Sequence, residues 1–521
     1  MSQLDCIFVN GQVLTAPQPA TALAISGPWI VYTGDDGGAR SLASPKTRLV
    51  DLVGKTVVPG FIDAHTHMVD QGLFQLHVDL YHAASRQEAL ARVARRVGQT
   101  APGEWVLGYR WLENEWENQS YFSRQELDAI APDQPVLLTR LDGHLGCVNS
   151  AALARLPDSA DLRGVLRGPD GAPNGALVED ALGSIQKLIQ LSPAQREEAI
   201  LAGVQEANRL GVTSIHDMVV DAELSRAYQA LVDRGELKVR VYLNFAAGLL
   251  ENLERAGLVT GFPGRPRTGD SPGWLRLGAI KIFADGAVGP HTAAVQPGAY
   301  VNAPDEMGLL IYEAEELAEL VCQTHQAGFQ LAIHTIGDRA LDVVLDALAA
   351  ALKAHPRPDH RHRIEHAEMA SREHAGRLAQ LQLIASMQPN FVVENWSEYA
   401  GRLGEARAVT TNPLGWMVEA GVPLALGSDV MPLDPLFGLH CAVNRAESAQ
   451  RLTPAQALHG YTWGGAFAAF EETVKGLLAP GYLADIAVLS HNPLTDPAAL
   501  EESRVLLTMV NGQVVYDTGL W

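Results

Sequence analysis

Two rhythms of apolar and polar residues run along this chain, and the change between them divides it. Near both ends the apolar runs are short and strand-like. Cys6-Ile7-Phe8-Val9, Ala22-Leu23-Ala24-Ile25, Trp29-Ile30-Val31-Tyr32 and Arg48-Leu49-Val50-Asp51 stand at one end. Asp485-Ile486-Ala487-Val488-Leu489, Val505 to Val510 and Gln513-Val514-Val515-Tyr516 stand at the other. Asn10-Gly11 and Asn511-Gly512 separate such runs, where hairpin turns are expected because both residue types tolerate positive φ. Residues 1–58 and 471–521 therefore read as one small β-sandwich built from both termini.

Between them, residues 59–470 alternate apolar strand-like runs with amphipathic helices such as Glu315 to Ala327 and Ala340 to Ala354. Such alternation predicts a parallel α/β fold. Eight candidate strands end near Asp63, His216, Leu243, Phe283, His334, His366, Met387 and Leu426, the count of a TIM (β/α)8 barrel. The interval between the first two is too long for one β/α unit. It holds a helix (Arg86 to Val97), a strand (Trp105 to Gly108), a helix (Arg124 to Ile130), a strand (Pro135 to Arg140) and a Gly-rich hairpin-like run (Gly164 to Leu177). Residues of about 85–190 read as a subdomain inserted after barrel strand 1, at the face where barrels bind substrates.

Composition narrows the class. In 521 residues with 47% hydrophobic content there is ample material for a large core. A formal charge of -21 disfavours nucleic acid and anionic membrane surfaces as partners. No apolar run reaches the ~18 residues of a membrane helix, and Met1 to Val13 reads as a strand, not a signal peptide. The four cysteines, Cys6, Cys147, Cys322 and Cys441, are widely spaced without a CxxC pair, which fits a reduced, cytoplasmic setting. A small-molecule substrate is expected; oligomeric state is open, with a homodimer as one option.

The candidate chemistry sits at the strand ends. His65 and His67 project to one face of a strand. Lys281 lies inside the apolar run Leu277 to Phe283; His334, His366 and Asp429 close three further strands. Four imidazoles and a carboxylate are too many for one tetrahedral ion and suit two divalent ions, zinc first among them. Two neighbouring cations need an anionic bridge. A buried lysine amine is readily neutral and reacts with carbon dioxide to give a carbamate, so Lys281 is the candidate bridge, N6-carboxylated. Asp429 would bind one ion and accept a proton from water that the metals turn into the attacking hydroxide.

Several stretches resemble the amidohydrolase superfamily, and most of all its YtcJ-like branch, which includes N-substituted formamide deformylases. They are Pro59-Gly60-Phe61-Ile62-Asp63-Ala64-His65-Thr66-His67, Lys281-Ile282-Phe283-Ala284-Asp285-Gly286, His334 to Ala340, Arg363-Ile364-Glu365-His366-Ala367 and Gly427-Ser428-Asp429. Asp142-Gly143-His144 with Asn149-Ser150, and Pro480 to Asp485, match as well. The resemblance implies a β-sandwich plus barrel and a divalent-metal hydrolase. It implies that His65, His67 and Asp429 hold one metal, that His334 and His366 hold the other, and that Lys281 bridges. Ala287-Val288-Gly289-Pro290-His291-Thr292 departs from a Ser-Leu-Gly-Ser-Arg-Thr-like stretch of the branch, so Pro290 and His291 are expected to reshape the pocket wall.

His144, Asn149, Arg339 and His291 are candidate substrate contacts, the first two as a loop imidazole and amide, Arg339 as a clamp for an anionic group. His216 and Asp217 are candidates for supporting a metal ligand. The aromatics Trp111, Trp116 and Tyr121 either line an apolar pocket or form the insertion's own core. The expected activity is hydrolysis of an amide, N-formyl or cyclic amide C–N bond, a bond other than a peptide bond, in a small molecule. The alternatives are a mononuclear deaminase or ester or lactone hydrolase on the same fold, and a non-catalytic scaffold relative.

Overall fold

The computed structural model describes residues 4–14, 20–113, 116–141, 143–156, 162–189, 191–261 and 273–521. Eight parallel strands form the central sheet: β1 (Phe61–Thr66), β2 (Val212–Val220), β3 (Arg240–Ala246), β4 (Leu275–Phe283), β5 (Leu331–Thr335), β6 (Arg363–His366), β7 (Ile384–Met387) and β8 (Leu424–Leu426). Each pairs with its neighbour in chain order. Thr66 bridges in parallel to Asp429, just past β8, and this brings the first strand back to the last. The expected TIM barrel is therefore the observed fold, with strand ends within a few residues of those read from the sequence.

Closure needs close backbone contact. The His65 carbonyl accepts hydrogen bonds from Ser428 N (3.2 Å) and Asp429 N (2.6 Å). Asp63 Oδ1 accepts from His65 N and Ser428 N, each 3.1 Å away. A β-carbon on Gly427 would lie 2.5 Å from His65 N, so only glycine lets the chains meet.

Side chains such as Ile215, Val241, Ile280, Ile333, Ile364 and Leu426 fill the barrel core. Helices Met68–Leu76 and Pro193–Arg209 pack so tightly that a β-carbon on Gly72 would sit 1.8 Å from the Ala199 carbonyl oxygen. Among the described residues no helix is long and apolar enough to cross a membrane.

The termini form two sheets around a shared core that includes Phe8, Ile25, Ile30, Ile486 and Leu507. Asn511-Gly512 makes the expected two-residue hairpin, with Val510 paired to Gln513 and both turn residues at positive φ. Asn10-Gly11 does not. Cys6–Val9 pairs within the four-stranded sheet and Gln12–Val13 with Thr56–Val57 in the other. The Asn10 turn, φ 57, thus carries the chain between sheets.

The insertion builds its own six-stranded sheet, which starts with Val78–Asp79, ahead of the expected boundary at residue 85. Trp111 and Trp116 stack in its core at 6.1 Å and donate to the carbonyls of Leu138 and Ala83. They are structural, not pocket-lining. Tyr121 borders a separate open cleft.

A buried ion pair ties barrel and sandwich. Arg240 on β3 grips Asp485 through Nε (2.6 Å) and Nη2 (3.2 Å), and Asn511 Oδ1 accepts from Nη2 at 3.0 Å. Asp485→Ala strands a buried guanidinium, and the expected loss is about 3–5 kcal/mol, since the cost of desolvating the charge is no longer offset. Urea denaturation checks this; an unchanged midpoint would show that the pair does not hold the two units together.

Candidate active site

Six strand-end residues line one cavity of about 410 Å3 at the C-terminal mouth of the barrel: His65, His67, Lys281, His334, His366 and Asp429. The ring centres of His65 and His67 are 5.8 Å apart, those of His65 and His366 4.8 Å, and those of His366 and His334 4.5 Å. Lys281 Nζ points inward and lies 3.4 Å from His65 Nε2. Carboxylate oxygens of Asp429 lie 3.2 Å from His67 Nε2 and 3.8 Å from His65 Nε2. His366 and Asp429 both sit at positive φ, 71 and 60. Strain of that kind costs on the order of 1–3 kcal/mol per residue and persists where neighbouring structure enforces it.

Hydrogen bonds fix which ring nitrogen carries the proton. His65 Nδ1 donates to Glu365 Oε2 (2.6 Å), His366 Nδ1 to Gln388 Oε1 (2.8 Å) and His334 Nε2 to the Gly286 carbonyl (3.0 Å). These oxygens only accept, so each of these nitrogens carries the proton and the opposite one keeps a lone pair. On His366 that opposite atom, Nε2, is buried without a hydrogen-bond partner. An orphaned imidazole lone pair among other nitrogens and a carboxylate is a site that fits a divalent cation.

Electrostatics agree. Burial pushes His65 down to about 4 and His366 to about 3, and holds His334 well below its ordinary value. All three are neutral at pH 7, the form that coordinates metal. Burial also opposes charge on His67, but Asp429 outweighs it and raises that histidine. Lys281 falls to about 8, mainly by desolvation, against partial support from Glu365 and Asp429.

Behind the strand-end histidines runs a buried polar chain. Arg363 pairs with Glu365 (Nε to Oε1, 2.8 Å) and donates to the Ala64 carbonyl, to Ser386 and towards His216 Nδ1 (2.8 Å). His216 thus reaches His65 only through Arg363 and Glu365. Asp217 accepts from Met68 N (3.0 Å) and from the Tyr228 hydroxyl (2.7 Å), which pins the backbone just past His67. Asp285 accepts from the N–H groups of Ala294, Ile336 and Gly337, and burial lifts it to about 7. The sequence reading assigned no role to Glu365, Arg363, Asp285 or Gln388. The signal was present in Arg363-Ile364-Glu365-His366, where charged residues alternate inside a strand with no exposed face.

The insertion roofs the cavity with Tyr109, Arg110, Arg140, His144 and Glu179, among others. His144 stands 6.0 Å from His334, ring to ring, with Nδ1 3.1 Å from Glu179 Oε1. Asp142 lies outside the described residues. Three expected substrate contacts are corrected. The Asn149 side chain caps Ala152 N, accepts from Val136 N and donates to the Ala131 and Gln134 carbonyls, so it is fully used in the insertion's own structure. Arg339 turns its Nη2 to the Met307 carbonyl and is absent from the cavity wall. His291 lies between Glu306 and Arg402, 3.0 Å from each, and packs on Tyr300 outside the cavity.

An amidohydrolase family model matches residues 48–516. The chain belongs to the amidohydrolase family. Its relatives include the Bacillus subtilis (strain 168) protein named as amidohydrolase YtcJ, 31% identical, with 91% of each chain covered. Another is the N-substituted formamide deformylase of Arthrobacter pascens, 28% identical, with 99% of each covered. Among solved structures, an uncharacterized metal-dependent hydrolase from Pyrococcus horikoshii OT3 is similar with TM-score 0.76 and 29% identity, over 94% of this chain and 98% of that one. This amidohydrolase is a metal-dependent hydrolase of carbon–nitrogen bonds other than peptide bonds.

Glu365→Gln leaves the shape of the chain Arg363–Glu365–His65 but removes the charge that orients His65. Loss of such a partner typically weakens metal affinity about 10–100-fold. Titration of the apoprotein with zinc against a competing chelator checks this, and an unaltered affinity would make the contact merely structural.

Proposed function

We propose that this amidohydrolase cleaves the C–N bond of a small-molecule amide, of the N-acyl, N-formyl or cyclic amide kind, in the cavity shared by His65, His67, Lys281, His334, His366 and Asp429. The observation that carries the reading is the orphaned Nε2 of His366 beside two further imidazole lone pairs, a carboxylate and a lysine amine of depressed basicity. Neutral nitrogens with few anionic oxygens suit zinc or a similar divalent ion. In the proposed arrangement His65, His67 and Asp429 would hold one ion and His334 and His366 the other, and Lys281, as its N6-carboxylate, would supply a shared anionic ligand. Bound divalent ions supply acidification of water and polarisation of the carbonyl.

The remaining steps belong to this chain. A carboxylate oxygen of Asp429 takes the proton of the attacking water as the new C–O bond forms. Asp429 then gives the proton to the amide nitrogen as the C–N bond breaks, leaving a carboxylic acid and an amine. The roof from the insertion limits bulk water around these transfers. Space at the ligands is unequal: beside the cavity of about 410 Å3 lies a second chamber of about 40 Å3 that shares His144, His334, His366 and Asp429. The proposed substrate is accordingly an amide with one bulky and one small end. The proposed setting is the cytoplasm, supported by four unpaired cysteines.

One fact favours a one-ion form of the site: among the described residues, only His65, His366 and Asp429 gather one ligand atom each within 4.8 Å. Metal analysis separates the two forms, at about two equivalents per chain against one.

Asp429→Asn is expected to lower kcat by about 100- to 10,000-fold, the range for loss of a positioned proton carrier, with the melting midpoint little changed. Rates equal to the parent's would remove Asp429 from the proton path. Lys281 supplies a pH test. Its amine must be neutral to take up carbon dioxide, and its value of about 8 means that the neutral fraction grows as pH rises to that point. Activation of apoprotein by zinc plus bicarbonate should therefore accelerate from about pH 6.5 to about pH 8.5. A flat profile would argue against the carbamate.

A further inference from the structure

The small chamber has a wall that the hydrolytic reading does not use. Val288, Ile336, Phe391 and Met431 form its apolar side, and Glu368 and Glu398 its acidic side. Glu398 is engaged: Arg140 reaches both its oxygens and Arg402 reaches Oε1. Glu368 is not comparably satisfied. It is 2% exposed and its carboxyl lies beside the Asn412 side chain, yet its Oε1 is buried with no partner in full hydrogen-bonding geometry. A buried acceptor left in this state is unfavourable, and more so if charged. A donor brought in by a ligand would account for its presence.

The position of the chamber says which donor. His144, His334, His366 and Asp429 line both chambers, so a bond cleaved beside them has one end in each. A volume of about 40 Å3 admits roughly three water-sized groups. The bulky end belongs in the larger cavity, and the small end meets Glu368. We infer that Glu368 recognises N–H groups on the small end of the substrate. The substrate is then an amide of ammonia or of a small primary amine, or a ureido compound, with its bulk on the acyl side. A formamide with a large N-substituent would instead place a C–H group against Glu368 and leave Oε1 without a donor. This inference rests on the amide-hydrolase reading and specifies its substrate.

Two substrate series on the metal-loaded enzyme test it: N-methylamides of bulky acids, and formamides of bulky amines. Methylammonium binding is measured alongside by calorimetry. The expected result is a kcat/KM preference of roughly 3- to 10-fold for the N-methylamides, the usual worth of a hydrogen bond to a buried neutral carboxyl oxygen. Glu368→Leu should erase that preference and methylammonium binding together, while Glu368→Gln, which keeps an acceptor, retains part of the preference. Preference for formamides, or a preference that Glu368→Leu leaves intact, overturns the inference and leaves amide hydrolysis standing. If neither series is cleaved yet methylammonium binds the parent and not the Leu variant, the hydrolytic reading fails and the recognition role survives. Absence of both cleavage and binding overturns both. The comparison of the two series on the parent enzyme stands even if a variant fails to fold.

Discussion

The contact on which the rest depends is the meeting of the His65 main chain with Ser428 and Asp429. One carbonyl accepts two N–H groups there, and Asp63 ties the same two segments from below. This closes the barrel, and it also sets the separation between the first pair of histidines and the carboxylate that faces them. Stability and chemistry are thus written into the same few backbone bonds. The close approach excludes any side chain at Gly427, and the reversal it forces places Asp429 in a backbone conformation that a strand would not give.

Around this contact the protein keeps charge where solvent cannot reach. Histidines held neutral by burial, a lysine of lowered basicity and a carboxylate, Glu365, paired with Arg363 form layers, each orienting the next. A buried polar network is favourable only when its members are satisfied. Here the His366 ring lies against two other imidazoles at the cavity, and its Nε2 is buried without a hydrogen-bond partner.

Much of this was legible in the sequence because periodicity and strand ends are local properties. The eight barrel strands, the helices Arg86–Val97 and Arg124–Ile130, and the strand-end residues that line the cavity were all readable from runs of a few residues. What was not legible depended on who faces whom. Asn149 looked like a pocket amide, yet its position at a helix start beside Val136 gives it structural partners on every side. Arg339 and His291 follow ligand motifs in sequence but turn to neighbouring loops. Asn10-Gly11 has the right turn chemistry, but whether its flanking strands pair is decided by strands far away in the chain. Glu365 was hidden because its role exists only once β1 and β6 lie in one barrel.

The split sandwich has an implication for biogenesis. Thr56–Pro59 pairs with Ile486–Leu489, and β1 meets the segment at Ser428 across 365 positions of chain. Contacts of such span form late and slowly. During synthesis the first two histidines emerge long before their partners, so the nascent chain can offer a passing cation no more than a two-nitrogen foothold. In the proposed arrangement metal insertion would thereby be coupled to completion of the polypeptide, and a truncated product would be denied both its last sheet strands and a competent centre.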